Sequence, residues 1–318
     1  MPLFASIAAI EYHLPRRVLT NADLAADFPE WTADSIEAKT GIAARHLAGA
    51  DESACDLAAA AAEKLFATGV IAPAEVDYLL LCTQSPDHLL PATACILQRR
   101  LGLPTSAGAL DFNLGCSGFV AGLGLAKGLI ETGQSRNLLL LTADTYSKFL
   151  APADRATRAL FGDAAAATLV RAVDAPAPLI GPFVYGTDGS GAANLILENR
   201  SGATLHMNGP EIFTFALRTI PRLFEQILSR AQLRRDEIDL FIFHQANRYM
   251  LEHLRKKLAI PAEKFILALR DCGNTVSSSI PIALKDAERE GQLRPGGRIL
   301  LVGFGVGYSW NATVVRWR

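Results

Sequence analysis

A single thiol, Cys116, stands where a nucleophile could be built. It lies in the segment DFNLGCSGFVAGLGLAKGLI (residues 111–130), between a glycine-flanked turn and a long apolar stretch. This pattern predicts a buried helix over residues 119–132. The start of a helix offers unpaired N–H groups and a positive dipole end, which favour a thiolate and can hold a developing oxyanion. A small buried apolar residue is the alternative for any one cysteine.

The other cysteines show no such setting: they are Cys55, Cys82, Cys95 and Cys272. None of them forms a CxxC pair, so the sequence indicates neither a zinc site nor a disulfide framework. An odd number of cysteines, five in 318 residues, is more typical of a reducing compartment than of a secreted protein. We interpret these residues as parts of apolar runs and loops without a chemical role.

Two later segments supply polar groups that could act with a thiol. FIFHQANRYM (residues 241–250) places His244 after an apolar run, and DCGNTVSSSIPIAL (residues 271–284) places Asn274 after a glycine. On the residues alone, a structural histidine and a turn asparagine remain the alternatives. The serines that follow, Ser277, Ser278 and Ser279, are predicted to be capping or packing groups at a helix start.

Composition limits the classes of protein to consider. The chain has 318 residues, of which 50% are hydrophobic and 20% charged, so it can bury one large core or two of ordinary size. A formal net charge of −1 argues against a protein that coats nucleic acid. The N-terminal segment has no basic n-region, and no apolar run is long enough to span a membrane, so we expect a cytoplasmic protein. Phosphate-loop, dinucleotide and HExxH zinc motifs are missing from the sequence.

Two pairs of segments suggest an internal repeat. AEVDYLLLCTQS (residues 74–85) lines up with DEIDLFIFHQAN (residues 236–247) at an offset of about 161 residues, and RNLLLLTAD (residues 136–144) lines up with GRILLVGFG (residues 297–305). Each member is typical of a buried strand near a turn. Chance similarity between short apolar runs is the alternative.

A duplication predicts a layered α/β molecule with two halves. We place them at residues 1–172, which carry Cys116, and residues 173–318, which carry His244 and Asn274. Strands and helices alternate in both halves, so helices should pack between and upon mixed sheets. The active site would then lie where loops from both halves meet.

The chain resembles the β-ketoacyl-acyl carrier protein synthase III family of thiolase-fold condensing enzymes. The likeness extends over nearly the whole chain. Its most specific parts are the Cys116 segment, FGDAAAATLV (residues 161–170), HQAN (residues 244–247) and GNTVSSSIPIAL (residues 273–284), in the family's order. The resemblance implies a thiolase-like fold, in which two duplicated halves form α/β/α/β/α layers.

The resemblance also implies roles for the site residues. Cys116 would be the acyl-accepting nucleophile, and the backbone N–H groups of Cys116 and Val306 would form its oxyanion hole. His244 and Asn274 would then donate hydrogen bonds to the carbonyl oxygen of a malonyl thioester as it loses carbon dioxide and becomes an enolate. The carbanion would attack the acyl group and give a β-ketoacyl product.

Substrate-binding residues follow from the same likeness. Trp31 and Arg155 resemble the family's adenine-contacting pair, although KTGI (residues 39–42) stands where housekeeping members have RTGI. Asn247 closes the HQAN motif and is a further candidate. The basic residues beyond it could dock an acidic carrier protein or the phosphates of coenzyme A, or form only a solvated helix face; they are Arg248, Arg255, Lys256 and Lys257.

Two departures from the family pattern bear on the acyl group. Val306 replaces a glycine in FGVG (residues 304–307), which keeps the N–H but adds a side chain that could narrow the pocket. Leu90 stands where many members have a phenylalanine that reaches across the dimer into the partner's acyl pocket. We therefore expect an enzyme of a specialised fatty-acid or polyketide-type pathway.

The implied partners are an acyl-coenzyme A or acyl-carrier-protein donor, a malonyl thioester acceptor and a second copy of the chain in a homodimer. No metal or other cofactor is implied. Two other functions stay open. One is acyl transfer from Cys116 to an oxygen, nitrogen or sulfur nucleophile without decarboxylation, against which Asn274 weighs. The other is a catalytically silent subunit of a heterodimer, against which the intact Cys116, His244 and Asn274 weigh.

Overall fold

The computed structural model describes residues 2–318, which form two main sheets. The first sheet contains, in spatial order, β1 (Leu3–His13), β7 (Ala164–Asp174), β6 (Asn137–Asp144), β4 (Tyr78–Cys82) and β5 (Gly108–Phe112). The second contains β11 (Leu240–Phe243), β12 (Arg298–Gly305), β13 (Ser309–Arg316) and β8 (Ile180–Thr187). Two small sheets pair β2 (Arg17–Thr20) with β3 (Ala44–Leu47) and β9 (Leu195–Ile196) with β10 (His206–Met207).

The helices complete the layers around these sheets. In chain order they are α1 (Asn21–Asp27), α2 (Ala33–Thr40), α3 (Ala54–Ala67), α4 (Thr93–Arg100), α5 (Gly118–Glu131), α6 (Arg155–Leu160), α7 (Gly209–Ala231), α8 (Arg248–Lys257) and α9 (Ser279–Arg289). Among residues 2–318, no helix combines the length and apolar character that a membrane span needs.

The two sheets repeat one topology. In the first, β1, β7 and β6 pair antiparallel, and β6 then pairs parallel with β4. In the second, β8, β13 and β12 pair antiparallel, and β12 pairs parallel with β11. Where β5 continues the first sheet, a single parallel bridge between Phe241 and Phe265 continues the second. The predicted duplication is therefore present in the fold, and we propose residues 1–172 and 173–318 as its two halves.

The central layer consists of α5 and α9. The predicted helix over residues 119–132 is observed at Gly118–Glu131, one residue earlier. Phe119 and Leu123 of α5 belong to one buried cluster that includes Leu140 of the first sheet and Leu301 of the second. A Cβ at Gly122 would lie 2.7 Å from a methyl carbon of Leu140, which explains the tolerance of glycine in this helix.

The outer layers cover the remaining faces of the sheets. Helices α3 and α4 pack on the first sheet, and α7 and α8 pack on the second. Because both faces of each sheet are covered, strands such as β6 are continuous apolar runs rather than alternating ones. The result is the predicted α/β/α/β/α arrangement.

The carboxyl ends of the parallel strands meet between the two halves. There β5 leads to the turn before Cys116, β11 leads to His244, and β12 ends at Gly305. This is the edge at which open α/β sheets place their ligands.

Candidate active site

The nucleophile candidate Cys116 sits in a 3₁₀ turn, Gly115–Ser117, which runs directly into α5. Gly115 has φ +48°, a left-handed conformation that glycine adopts without strain. A Cβ at that position would lie 2.2 Å from Oε1 of Gln84, so the turn requires glycine for space as well. On the other side, a Cβ at Gly305 would lie 3.0 Å from Sγ of Cys116. Glycine at both positions leaves room around the thiol.

Burial dominates the electrostatics of Cys116. The residue is only 5% exposed, and burial raises the pKa of its thiol to about 12, with a further contribution from the nearby Asp144 carboxyl. Backbone N–H groups of Val306 and of Cys116 itself oppose this shift by hydrogen bonding to the sulfur. The expected thiolate at the helix start is therefore outweighed by desolvation, and the resting group is a thiol. The same two N–H groups are those proposed from sequence for the oxyanion hole.

His244 lies at the end of β11 and is 2% exposed. Its Nδ1 shares a hydrogen bond of 2.8 Å with Oγ of Ser279, the first residue of α9. Burial lowers the pKa of the imidazole to about 3, although a backbone hydrogen bond with Val276 partly opposes this. The side chain is therefore neutral near pH 7, with its orientation fixed by Ser279.

Asn274 lies in the loop before α9 and is 6% exposed. Its Oδ1 accepts a 3.0 Å hydrogen bond from the Val276 N–H, and its own N–H donates to the Leu160 carbonyl at 2.8 Å. With Oδ1 engaged, the Nδ2 hydrogens are the groups that can donate to a ligand. Val276 has φ +51°, which is strained for a β-branched residue and holds this amide in place.

One cavity of about 80 Å³ brings these side chains together. Its lining includes Cys116, His244, Asn274 and Asn247, surrounded mainly by apolar side chains. Asn247 also caps α8, because its Oδ1 accepts from the Met250 N–H at 2.8 Å. A thiol, a neutral imidazole and an amide therefore share one largely apolar space, with backbone donors behind the thiol. Such a site can form a thioester and then stabilise negative charge on a second carbonyl.

Comparisons with known proteins show which family the chain is related to. Two family models match, "3-Oxoacyl-[acyl-carrier-protein (ACP)] synthase III" at residues 110–189 and its C-terminal counterpart at residues 228–317. The curated β-ketoacyl-[acyl-carrier-protein] synthase III of Listeria welshimeri is 38% identical over 313 residues, which cover 98% of this chain and 99% of that protein. The chain belongs to the β-ketoacyl-[acyl-carrier-protein] synthase III family.

Solved structures of synthase III proteins share the fold throughout. One 3-oxoacyl-(acyl-carrier-protein) synthase III is 51% identical, with a TM-score of 0.96 over 99% of this chain and 100% of that one. The priming β-ketosynthase of the R1128 polyketide pathway is 28% identical, with a TM-score of 0.93 over 100% of this chain and 98% of that one. These findings confirm the thiolase-like fold and a condensing enzyme of the acyltransferase class.

In this synthase III chain, the role of the serines at the start of α9 differs from the one predicted from sequence. They do not cap the helix, since the N-cap Ser278 makes no side-chain capping hydrogen bond. Instead they are buried and bond to distant segments: Ser277 to Asp144 and Ser278 to Thr142 of the first half, and Ser279 to His244 of the second. The capping alternative was wrong because these hydroxyls bond to side chains of other segments instead of to the start of the helix. Their packing role is confirmed.

A buried carboxyl that sequence reasoning missed, Asp144, joins the two halves near the thiol. It ends β6 and is completely buried. One carboxyl oxygen accepts from the Gln84 N–H at 2.7 Å, and the other accepts from the hydroxyl of Ser277. Burial raises the pKa of Asp144 to about 7. An acidic residue directly after the apolar run NLLLLTA was the available signal.

Trp31 and Arg155 are adjacent in the structure. The Arg155 guanidinium lies 5.2 Å from the centroid of the Trp31 ring and forms an ion pair with Glu30. Arg155 begins α6, and Leu160 at the other end of that helix lines the Cys116 cavity. The pair is thus connected by one short helix to the candidate active site.

The basic residues of α8 divide into two groups. Arg255 is paired with Glu252 at 2.8 Å, and Nζ of Lys257 donates to the Leu217 carbonyl at 2.9 Å. Arg248, Lys256 and Lys257 are exposed, and Arg248 packs closely against the glycine of KTGI. Part of the cluster is therefore structural, and part is presented to solvent.

Leu90 lies in the loop between β4 and α4 and is 83% exposed. Its neighbour Leu89 is 80% exposed. Neither side chain contributes to the apolar core of the described chain. Within residues 2–318, no group of three or more histidine, cysteine, aspartate or glutamate side chains is arranged to hold a metal ion.

Proposed function

We propose that this chain condenses an acyl group with a malonyl thioester through Cys116, His244 and Asn274. The observation that carries the proposal is the single cavity that all three side chains line, with the Val306 and Cys116 N–H groups at the sulfur. The family relation supports the same chemistry. Each side chain then has a separate task in two successive half-reactions.

In the first half-reaction, Sγ of Cys116 forms a bond to the carbonyl carbon of an acyl thioester. The bond to the carrier sulfur breaks, and the thiol proton leaves with the carrier thiol. The carbonyl oxygen becomes an oxyanion on the way, and the N–H groups of Cys116 and Val306 stabilise it. Because the pKa of the thiol is raised, removal of its proton is part of this step, and the leaving carrier sulfur takes up that proton.

In the second half-reaction, the malonyl thioester loses its carboxylate as carbon dioxide. The two electrons of that bond pass to the thioester, which becomes an enolate. His244 and the Nδ2 group of Asn274 donate hydrogen bonds to the enolate oxygen. The enolate carbon then attacks the acyl carbonyl on Cys116, and the Cys116 thiolate leaves and takes up a proton from solvent.

The residues around the cavity support a proposal for the molecules that carry the acyl and malonyl groups. We propose an acyl-coenzyme A or acyl-carrier-protein donor and a malonyl group on acyl carrier protein. The Trp31 and Arg155 pair offers an aromatic face and a cation for a nucleotide, and Arg248 and Lys256 offer exposed positive charge for an acidic carrier. No metal or other cofactor enters the steps.

A homodimer is proposed on the edge of the first sheet. Strand β5 lies at that edge, and its Leu110 is 45% exposed. Leu89 and Leu90 expose large apolar side chains as well. An open edge strand with exposed leucines is a surface suited to a second copy of the chain, in which Leu90 would contact the partner's acyl pocket. A cytoplasmic location and a specialised fatty-acid or polyketide-type pathway remain parts of this proposal.

The test follows the mass of the intact protein. Wild type and Cys116→Ala are incubated with a panel of acyl-coenzyme A and acyl-carrier-protein donors, and malonyl-carrier protein is then added. We expect an acyl adduct on wild type alone, its loss on the chase, and a β-keto product. An adduct that passes to a hydroxyl, amine or thiol acceptor without carbon dioxide would establish the simple acyltransferase instead. Complete failure to acylate would favour the silent subunit.

A further inference from the structure

A second cavity borders Val306, whose backbone N–H bonds to the Cys116 sulfur. It has a volume of about 250 Å³, and Val306 and Gly307 form part of its lining. Leu195 lines both this cavity and the one that contains Cys116. The two spaces are therefore neighbours that share a wall.

This second cavity is the space available to the acyl chain. The first, at about 80 Å³, has to receive the malonyl group beside His244 and Asn274 under the proposed function, on which this inference depends. Cys116 also packs in one buried cluster with Leu195, Leu205 and Tyr146, all three of which line the larger cavity. An acyl group bonded to Cys116 would extend past Val306 into it.

The larger cavity has one polar wall. The Tyr146 hydroxyl donates to Oε1 of Gln84 at 2.5 Å, and Nε2 of Gln84 donates to Oδ1 of Asn113 at 2.7 Å. In this chain of bonds each of the two amide oxygens accepts one hydrogen bond. It leaves the Nδ2 group of Asn113 and one hydrogen of Gln84 Nε2 as surplus donors along the cavity.

These N–H groups have no protein acceptor within residues 2–318, so they favour a ligand that carries a hydrogen-bond acceptor. Asn113 is exposed and Gln84 half-buried, so these donors meet water in the free protein. A saturated alkyl chain would displace that water without offering an acceptor, and donors left unpaired in this way are costly. A hydroxyl or ketone oxygen would accept from them. The lining residues of the larger cavity include no Asp, Glu, Lys or Arg, and the Asp144 carboxyl lies directly behind Gln84, so a carboxylate would be neither neutralised nor favoured.

We propose that the acyl group accepted by Cys116 carries a neutral hydroxyl or ketone oxygen, which the Gln84 and Asn113 amides bind. Loading follows the acyl transfer described above: the Cys116 sulfur bonds to the thioester carbon, and coenzyme A leaves with the thiol proton. The oxygen on the chain takes no part in bond making. It sets the rate at which one donor loads relative to another.

The experiment measures loading rates for donors of one chain length. Hexanoyl-, β-hydroxyhexanoyl-, δ-hydroxyhexanoyl- and adipoyl-coenzyme A are offered to the full-length protein, and the acyl adduct on Cys116 is followed by intact mass. We expect at least one hydroxyacyl donor to load about tenfold faster or more than hexanoyl, since sites built to hydrogen-bond a substrate oxygen discriminate against analogues that lack it. Adipoyl, with its terminal carboxylate, should load no faster than hexanoyl.

Substitutions of Gln84 and Asn113 test whether these amides cause a preference for hydroxyacyl donors. Gln84→Met and Asn113→Leu replace amides with apolar side chains of similar size, and hexanoyl loading in the same variant is the matched control. The ratio of hydroxyacyl loading to hexanoyl loading should fall about tenfold in these variants, whatever happens to the hexanoyl rate itself. A ratio that stays unchanged in both variants would overturn the proposal. Tyr146→Phe, which removes only the hydroxyl that holds Gln84, should also lower the ratio, and an unchanged ratio there would count against the polar wall.

The outcomes separate this inference from the proposed function. Equal loading of hexanoyl and hydroxyhexanoyl on Cys116 would overturn the inference and leave the proposed function standing. Faster loading of adipoyl would overturn it as well, because the site would then favour a charged chain. If no donor of any kind formed an adduct on Cys116, the proposed function itself would fail.

Discussion

Two turns of the molecule, Asn113–Gly118 and Asn274–Ser279, are related by an offset of 161 residues. Each has a left-handed residue in the third position, Gly115 at φ +48° and Val276 at φ +51°. Each continues through a 3₁₀ turn into a helix of the central layer. The backbone is thus the same, and only the side chains distinguish a nucleophile turn from a turn that presents donors.

The side chains around each turn decide its chemical role. Cys116 opens onto a cavity, whereas its counterpart Ser277 is 1% exposed and closed against Asp144. The asparagines differ in the same way. Asn113 bonds to Gln84 in the larger cavity, while Asn274 lines the cavity that contains Cys116. Duplication supplied two equivalent frames, and each half then specialised.

The largest expected effect comes from exchanging the nucleophile between the turns. Cys116→Ala should abolish acylation, a loss of at least about 10³-fold. Adding Ser277→Cys to that variant should restore nothing, because a thiol at 277 would lie against Asp144 with no cavity before it. Intact mass after incubation with acyl-coenzyme A measures both. An adduct at residue 277 would show that the turn alone makes a nucleophile.

The next largest effect is expected from substituting the asparagines of the two turns, Asn274 and Asn113. Asn274→Ala should lower condensation by about 10²–10³-fold, because an enolate-stabilising donor is lost, and should leave acylation of Cys116 nearly intact. Asn113→Ala is the matched variant and should alter donor preference with little effect on the chase. Carbon dioxide release and adduct mass are measured in the same samples. Equal loss of condensation in both variants would contradict the division of roles.

A smaller effect concerns stability and the left-handed glycine. Gly115→Ala should lower the free energy of unfolding by about 1–3 kcal/mol, since the added Cβ would meet Oε1 of Gln84 at 2.2 Å. Gly69→Ala is the control, because Gly69 has φ +74° but no atom within 4 Å of the added carbon. Urea unfolding of both variants isolates the clash. Equal destabilisation would mean that Gly115 is required only for its backbone angle.

The smallest effect is expected from removing the hydrogen bond between Ser279 and the His244 imidazole. Ser279→Ala should reduce condensation about tenfold, the loss expected for one orienting hydrogen bond, while Ser278→Ala, which loses a bond to Thr142 instead, should not.

The pH profile of wild type sharpens this test. Burial lowers the pKa of His244 to about 3, so the imidazole stays neutral as the pH falls through 6.5, where an exposed histidine would gain a proton. Condensation rates between pH 5 and 8 should therefore show no step assignable to His244. A step near pH 6.5 that disappears in His244→Gln would contradict the account.

Much of the fold was predictable from the sequence because its signals are local. Buried strands such as β6 are continuous apolar runs, and the repeat of such runs at a fixed offset indicated duplicated halves. The glycines of α5 indicated close packing, and the helix lies within one residue of its predicted position.

The parts that sequence did not predict depend on contacts between distant segments. The bonds of Ser277 and Ser279 reach Asp144 and His244, which are 133 and 35 residues away, and no local pattern reports such partners. Likewise, the motif around Cys116 indicated a helix start but not the burial that keeps its thiol protonated. Desolvation is a property of the assembled core rather than of a segment.

The central claim is that the second turn acts on carbon dioxide loss while the first holds the acyl group. The most direct measurement loads wild type with an acyl donor, removes the excess donor, and chases with malonyl-carrier protein while trapping carbon dioxide. The account predicts one carbon dioxide released for each acyl group that leaves Cys116, and a preloaded Asn274→Ala protein that keeps its acyl group. Departure of the acyl group without carbon dioxide would contradict it.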